Sequence, residues 1–197
     1  MSRYKYYALN KPYGVLSQFT KDHPGQSTLA ELLAVEKDVY PVGRLDKDSE
    51  GLLLLTNDKS VNQKLLHPKN RHKKTYWAQV EGQITEDVLE QLRKGVIIKH
   101  KGKAYHTLPC MAEEIEAPAG LWDRNPPIRY RKNIPTSWVE ITLHEGKNRQ
   151  VRKMMATVGF PVLRLIRAAI EGLQTPDSPG RSTELSQEIF YAKLELN

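Results

Sequence analysis

Cysteine is almost absent from this chain of 197 residues, and its scarcity excludes several kinds of site. Cys110 is the single cysteine, so an intramolecular disulfide and a zinc site built from several thiolates are excluded. The six histidines are too scattered for the paired histidines of a zinc protease. We therefore expect no metal site, a reducing compartment, and a packed structural role for Cys110.

Long hydrophobic runs are also missing. No apolar segment approaches the roughly 20 residues that a membrane helix requires. The N-terminal residues 1–7 lack the apolar region of a secretory signal, and the chain has no internal repeat or low-complexity tail. These absences favour a cytoplasmic protein without membrane association.

Acidic residues are outnumbered by basic ones. The chain has 30 Lys and Arg residues against 23 Asp and Glu residues, which gives a formal net charge of +7. Such an excess favours a polyanionic partner, but only where the cations cluster in space. The length allows one domain with its own core, arranged as two lobes that share a cleft.

The most informative segment runs from Gly43 to Asp58. Leu52 to Leu55 predict a buried strand, because the run is short, continuously apolar and bounded by Gly51 and by polar residues. Asp46 lies on the loop that feeds this strand, where burial raises the pKa of a carboxyl group and a cation such as Arg44 lowers it. A carboxylate held ionised in this way can act as a nucleophile, and the alternative is a structural ion pair.

The same segment partly matches a calcium-binding EF-hand loop. Asp46, Asp48, Glu50 and Gly51 occupy positions one, three, five and six of such a loop, but position twelve is Asn57 rather than a bidentate glutamate. Positions seven to ten are all leucine, and four apolar side chains cannot form a solvated ligand loop. We therefore do not expect calcium binding.

The first cluster of positive charge leads directly into aromatic residues. Arg71, Lys73 and Lys74 precede Tyr76 and Trp77. Cations bind phosphates and aromatic rings stack on exposed bases, so this segment is the strongest local signal for nucleic-acid binding. The alternative is a solvated loop before an ordinary strand.

A second cluster surrounds residues 125–127, Asn-Pro-Pro, and consists of Arg124, Arg129, Arg131 and Lys132. The prolines indicate an exposed loop. Such a loop is either an RNA clamp or plain surface.

The third cluster lies on a predicted amphipathic helix over residues 148–158, with Asn148 as the N-cap and Gly159 at the end. The apolar residues at spacing i, i+3, i+4 and i+7 bury one side of this helix. They are Val151, Met154, Met155 and Val158. Arg149, Arg152 and Lys153 share the opposite side near a helix N-terminus, which predicts a site for phosphate or carboxylate groups.

The remaining segments predict a scaffold of strands and short helices. Helices are predicted from a capping box of Thr28 and Glu31 to Ala34, from Asn57 or Asp58 to Leu66, and from Thr85 to Gly95. Strands are predicted at residues 5–15, 75–81, 96–99, 104–112, 137–144, 162–170 and 190–196. Strands outnumber helices without regular crossovers, which favours an α+β fold with a mostly antiparallel sheet.

Four segments form an ordered set of motifs: Asn10 to Val15, Gly43 to Asp58, Lys74 to Tyr76, and Glu145 to Met154. In this order they resemble the motifs of the RsuA/RluB/RluE/RluF family of pseudouridine synthases. The tract at 121–135 is most similar to the RluE branch. The resemblance implies one catalytic domain over residues 3–196 without an N-terminal S4 domain. Its fold would be the pseudouridine synthase fold, a mixed and mostly antiparallel central sheet flanked by helices, with two lobes around a basic RNA-binding cleft.

The resemblance also implies an enzyme that isomerises a specific uridine to pseudouridine in ribosomal RNA, expected to be 23S, without any cofactor. Asp46 would be the catalytic aspartate, acting on the ribose C1′, on the uracil C6, or through a glycal intermediate. Tyr76 would stack on the target base. Arg152 would pair with Asp46 and keep it ionised, and Arg44 would help to extrude the nucleotide and take its place.

Binding of the RNA would involve the basic clusters and a dry pocket. A stacked base must be flipped out before its glycosidic bond can be cut and remade. Leu45 and Val151 would line the closed pocket that receives it. The expected RNA contacts are Arg71, Lys73, Lys74, Lys147, Arg149 and Lys153. The expected partner is large-subunit ribosomal RNA or its assembly intermediate, bound by a monomer.

Two departures and two rival functions accompany this interpretation. Ser49 and Lys59 stand where the family motif has Thr and Gly, but neither has a proposed catalytic role. A non-catalytic RNA-binding protein, such as a ribosome assembly factor, would explain the charge but not Asp46, because a half-buried carboxylate repels phosphates. A metal-dependent nuclease would need a carboxylate cluster that the sequence does not offer.

Overall fold

A computed structural model describes residues 4–128, 131 and 134–196. Arg3, Arg129 and Lys132, which entered the predictions above, lie outside these residues. The chain forms two compact units, as expected. The first unit comprises Met1–His72 with Ile166–Asn197, and the second unit comprises Lys73–Leu165.

Strands dominate both units, which confirms the predicted α+β class. The strands are β1 (Tyr6–Lys11), β2 (Val15–Leu16), β3 (Ser27–Thr28), β4 (Tyr40–Pro41), β5 (Glu50–Thr56), β6 (Lys74–Glu81), β7 (Ile97–His100), β8 (Lys103–His106), β9 (Met111–Ile115), β10 (Thr136–Leu143), β11 (Val162–Ile170), β12 (Leu173–Gln174) and β13 (Ser182–Leu185). The helices are α1 (Lys59–Leu66), α2 (Glu86–Lys94), α3 (Gln150–Thr157) and α4 (Gln187–Lys193). Single 3-10 turns lie at Leu29–Glu31 and Pro68–Asn70.

The sheet of the first unit is centred on β5. Its order is β13-β1-β5-β11, antiparallel except for the parallel pair β5 and β11. All seven residues of β5 are buried, which confirms the predicted strand. Leu52 and Leu54 pack into one apolar cluster with Phe190, whereas Leu53 and Leu55 pack into another that contains Leu45. The continuous leucine run therefore follows from burial on both faces of the sheet.

Gly51 permits a close approach between β5 and β11. Its φ is +97°, and an added Cβ would lie 2.4 Å from the backbone oxygen of Arg167. We expect Gly51→Ala to reduce the free energy of unfolding by about 2–5 kcal/mol, from backbone strain together with the steric clash. Urea denaturation should show a lower midpoint.

Gly25→Ala is the matched control, since Gly25 has a similar φ of +82° but nothing within 4 Å of the added Cβ. We expect it to cost only about 1 kcal/mol, from backbone strain alone. Equal losses in the two variants would show that the contact with β11 is not what requires glycine at position 51.

The C-terminal segment is helical, so the strand predicted at 190–196 is wrong. Ser186 caps α4 by accepting a hydrogen bond from the backbone N–H of Ile189. This N-cap was not predicted from the sequence. Phe190 and Leu194, four residues apart, are fully buried on one side of the helix. Tyr191 donates a hydrogen bond to Asp58 at 2.6 Å, which ties the helix to the start of α1.

The helix predicted from Thr28 to Ala34 is also wrong, because the structure has only the turn Leu29–Glu31 there. Thr28 belongs to β3, and its hydroxyl donates to the carbonyl of Phe19 instead of capping a helix. Glu31 forms an ion pair with Lys21 at 2.6 Å. Both members of the expected capping box therefore have other partners.

The other two scaffold helices are confirmed. Asp58 is the N-cap of α1 and accepts a hydrogen bond from the N–H of Ser60 at 3.0 Å. Thr85 precedes α2, and Gly95 follows it. The strand predicted at 104–112 is instead divided into β8 and β9, with Thr107 to Cys110 between them.

The second unit is built on the antiparallel order β6-β10-β9. Its core contains Leu89 and Leu92 of α2 and Met154 and Met155 of α3. Cys110 packs against this core as predicted, and burial raises the pKa of its thiol to about 11. Within the residues described above, no helix combines the length and apolar character needed to cross a bilayer.

Candidate active site

Asp46 lies in the first unit, on a loop that is fixed by its neighbours. Leu45 is buried in the core, so the residue before Asp46 is anchored beside β5. The Ser17 hydroxyl donates to the carbonyl of Leu45 at 2.8 Å and accepts from its N–H at 3.1 Å. Asp46 itself is half-buried. This support holds the backbone of Asp46 in one position, as preorganised chemistry requires.

Two further backbone hydrogen bonds close the loop. The N–H of Gly14 donates to the carbonyl of Lys47 at 2.8 Å, and the N–H of Ser49 donates to the carbonyl of Asp46 at 3.0 Å. The first bond joins two of the segments that carry the family resemblance, residues 10–15 and 43–58. The segments are therefore neighbours in space as well as parts of one pattern.

Lys11 is a buried cation whose charge interacts with Asp46, and sequence analysis gave it no role. Its side chain is fully buried, and its ammonium group donates to the carbonyls of Pro12 and Val15, both at 2.8 Å. Burial lowers the pKa of Lys11 to about 8, while the carboxylates of Glu50, Asp48 and Asp46 oppose that change. Lys11 therefore supplies a buried positive charge that interacts with the carboxylates of this loop.

Arg44, one predicted candidate partner of Asp46, lies two residues before it on the same loop. Its side chain is exposed at the mouth of the loop. Lys11 could have been recognised from the sequence, because a lysine at the end of the apolar strand β1 needs polar partners if it is buried.

Tyr76 and Lys74 lie on β6 in the second unit, and both are half-buried. The flanking residues are fixed across to β10, because the hydroxyls of Thr75 and Thr142 are 2.8 Å apart and the indole N–H of Trp77 donates to Glu140 at 2.9 Å. Tyr76 lies opposite Ile141 and packs against the core. Its ring is therefore held on a rigid strand.

The N-cap of helix α3 lies one residue later than predicted. Asn148 is not its N-cap, because Arg149 takes that position in a left-handed conformation, with φ +53°, and makes no capping hydrogen bond with its side chain. Gln150 orders the turn instead: its side-chain oxygen accepts from the N–H of Lys147 at 2.9 Å, and its amide group donates to Glu145.

This start separates the cations that were predicted to share one helix face. Arg149 is exposed outside the helix, whereas Arg152 and Lys153 are half-buried on it. Arg152 donates to the carbonyl of Val162 at 3.1 Å, which orients its guanidinium group. Val151 is buried in the core of the second unit.

The first basic cluster is anchored by a buried histidine. His72 lies between Arg71 and Lys73, which are both exposed, and its imidazole contacts Glu171 and the carbonyl of Lys64, each at 3.2 Å. The segment before β6 is thus fixed at its centre while the neighbouring cations face solvent.

In the second basic cluster, Arg124 and Arg131 bond to other groups of the protein, unlike the cations of an open RNA clamp. Arg124 donates to the carbonyls of Pro126 at 2.8 Å, Pro127 at 3.2 Å and Leu163 at 3.4 Å. Arg131 forms an ion pair with Glu81 at 3.1 Å. Arg124 therefore stabilises the loop in which it lies.

Neither unit contains a metal-ligand cluster among residues 4–128, 131 and 134–196, where no group of three His, Cys, Asp or Glu side chains is arranged to hold an ion.

Comparison with known proteins identifies the family. Residues 5–157 match the family model described as RNA pseudouridylate synthase. This chain belongs to the RNA pseudouridylate synthase family. It is 52% identical over 177 residues to a protein of Vibrio parahaemolyticus named ribosomal large subunit pseudouridine synthase E, covering 89% of this chain and 71% of the relative.

More distant relatives and a solved structure agree. The synthase is 48% identical over 163 residues to a protein of the same name from Xanthomonas axonopodis pv. citri, covering 82% and 83% of the two chains. It is 36% identical to ribosomal large subunit pseudouridine synthase B of Bacillus subtilis, covering 88% of this chain and 66% of the relative. A crystal structure of a pseudouridylate synthase superposes with a TM-score of 0.77 at 24% identity, covering 98% and 75%. The predicted fold of the synthase is confirmed.

Proposed function

We propose that this synthase converts a specific uridine of large-subunit (23S) ribosomal RNA to pseudouridine. The family membership makes it an RNA pseudouridine synthase, and the relative with 52% identity, named for the ribosomal large subunit, supports the choice of RNA. We further propose that residues 3–196 act as one catalytic domain, as a monomer, in the cytoplasm where ribosomal subunits assemble.

Asp46 is the group that we propose starts the reaction. The observation that carries this assignment is the loop fixed by Ser17, Leu45 and Gly14, which holds a half-buried carboxylate that interacts with the charge of Lys11. A fold gains little from fixing an acidic group inside a basic protein that binds phosphates, whereas an isomerase needs one.

The other predicted residues have roles in the same proposal. Tyr76 stacks on the flipped base, Arg152 supports the ionised Asp46 in the reaction, and Arg44 takes the place of the extruded nucleotide. Leu45 and Val151 form the apolar wall around the uracil. The RNA backbone is bound by Arg71, Lys73, Lys74, Lys147, Arg149 and Lys153.

The test uses ribosomal RNA from cells that lack the protein. We expect one uridine of 23S RNA to be unmodified in these cells and to become pseudouridine when the purified wild-type protein is added to their RNA or to their large-subunit precursors. An unchanged pseudouridine map in the deletion strain would contradict the proposal and favour an RNA-binding protein without this activity.

Salt dependence tests the proposed binding mode separately from the chemistry. If the basic side chains bind phosphates, the logarithm of the association constant should fall linearly with the logarithm of salt concentration, by about 0.7–0.9 for each phosphate contact. Filter binding to 23S RNA between about 50 and 200 mM salt measures this slope. A flat response would exclude the basic clusters as the RNA-binding surface.

A further inference from the structure

The hairpin formed by β7 and β8 is strongly basic and was not singled out by the sequence motifs. No acidic residue occurs between Glu90 and Glu113, whereas this stretch contains Arg93, Lys94, Lys99, Lys101 and Lys103. The last three lie in or between the two strands of the hairpin, and all three are exposed. Positive charge is thus concentrated at one projecting tip.

The turn of the hairpin has an unusual residue at its tip. Lys101 and Gly102 both have left-handed backbone angles, with φ of +48° and +79°. Such two-residue turns prefer Asn-Gly, and a lysine at the first position costs about 1–2 kcal/mol. Lys101 therefore does not stabilise the turn. It places a positive charge at the tip.

Cations from helix α3 extend this surface. The pKa of His100 is lowered by burial and then by the charges of Lys101, Lys147 and Lys153, so the charges of lysines from separate elements act on the same histidine. The end of α3 packs on the base of the hairpin, since the Thr157 hydroxyl donates to the carbonyl of Ile97 at 3.4 Å. The segment just before α3 packs on β8, since the ammonium group of Lys147 lies 4.9 Å from the ring centre of Tyr105. The tip of the hairpin and the start of α3 therefore form one basic surface.

Glu145, an acidic residue near this surface, is hydrogen-bonded to neutral groups. Glu145 also acts on His100, but its carboxylate accepts hydrogen bonds from Tyr105, from the N–H of Leu108 and from Gln150. In the part of the chain that the structure describes, Lys99, Lys101 and Lys103 form no ion pair, whereas Lys94 on α2 pairs with Glu90 at 3.1 Å.

We propose that the hairpin tip, consisting of Lys99, Lys101 and Lys103, is a docking surface for the sugar–phosphate backbone of the substrate RNA. This inference rests on the proposed function and adds a contact away from the nucleotide that reacts. Backbone rather than base recognition follows from the covered aromatic ring: the ammonium group of Lys147 lies 4.9 Å from the ring centre of Tyr105, and His100 meets the same ring edge-on. Among the residues that the structure describes, the hairpin tip therefore has no uncovered tyrosine, tryptophan or phenylalanine ring that could stack on a base.

The test compares two triple variants that remove the same charge. Lys99→Ala/Lys101→Asn/Lys103→Ala clears the tip, and asparagine is chosen because it tolerates the left-handed angle. Lys5→Ala/Lys21→Ala/Lys94→Ala is the control, because each of these lysines is already paired with a glutamate. Each variant lowers the formal net charge of +7 by three.

We expect the tip variant to reduce the steepness of the salt dependence of 23S RNA binding by about 2, while the control changes it by less than about 0.5. Lys99→Arg/Lys101→Arg/Lys103→Arg should keep the wild-type slope. The rate of tritium release at saturating RNA should stay within about twofold of wild type in all three, because uniform binding changes affinity and not turnover.

Equal slopes for the tip variant and the control would overturn the docking surface. A tip variant whose turnover at saturating RNA falls with its affinity would also overturn it, since that result places the hairpin in the chemistry. If even the wild-type protein releases no tritium while the slopes differ, the proposed function fails and the docking surface stands.

Discussion

Asp46→Asn is expected to abolish pseudouridine formation while leaving the fold intact. The amide matches the carboxylate in shape but cannot act as a nucleophile, and loss of a nucleophile lowers turnover by roughly 10⁴-fold or more. The loop should persist, because its hydrogen bonds come from the backbone of residues 45–47 and from Ser17. Tritium release from 23S RNA containing 5-tritiated uridine measures the activity, since the hydrogen on C5 is lost when C5 bonds to the ribose.

Asp48→Asn is the matched control. Asp48 is also half-buried on this loop, and its charge also interacts with Lys11. We expect this variant to retain activity within about tenfold of wild type, because a change of one nearby charge alters a barrier by only about 1 kcal/mol. Full activity in Asp46→Asn, or equal losses in both variants, would remove Asp46 from the nucleophile role.

Arg152→Ala is expected to lower turnover by about 10²–10³-fold, the usual effect of removing one group that stabilises charge in an active site. The RNA affinity should change by less than about threefold, because one cation contributes little among many phosphate contacts. Single-turnover rates at saturating RNA and filter binding measure the two quantities separately.

Two companion variants test whether Arg152 acts in chemistry or in docking. Arg149→Ala removes an exposed arginine three residues away and should weaken binding without changing turnover. Arg152→Lys keeps the charge and should recover part of the lost turnover if charge is what matters. Equal losses of turnover and affinity in Arg152→Ala would reassign this residue to RNA docking.

Sequence patterns predicted elements whose stability comes from their own residues. The leucine run of β5 could be recognised because four consecutive apolar side chains are stable only where both faces of a strand are buried. Helix α1 could be recognised because Asp58 caps it locally. The strand predicted at residues 190–196 was wrong because α4 has only seven residues, with Phe190 buried inside it and Leu194 buried at its C-cap, which is too short for a helical periodicity to be recognised.

Some residues of the candidate site could be predicted from the sequence and others could not. Asp46 could be predicted as a site residue because a carboxylate beside a buried strand is unfavourable unless it is paired or has a function. The roles of Ser17 and Lys11 could not be predicted, since Ser17 bonds to Leu45, 28 positions away, and the charge of Lys11 interacts with Asp46, which is 35 positions further along the chain. The conformation of Arg149 also escaped prediction, because Gln150 and Glu145, rather than Asn148, order the turn before α3.

By itself, the sequence determined the family, the buried central strand, the excess of positive charge and the aspartate at the mouth of that strand. These properties depend on residue types and on spacings within a few turns or one strand. Only the tertiary structure decided that the buried charge of Lys11 acts on the loop of Asp46, which hydroxyl fixes that loop, and which lysines of the hairpin and of the start of α3 form one surface. Those relations join residues far apart in the chain, and they arise only when burial of the apolar cores brings the segments together.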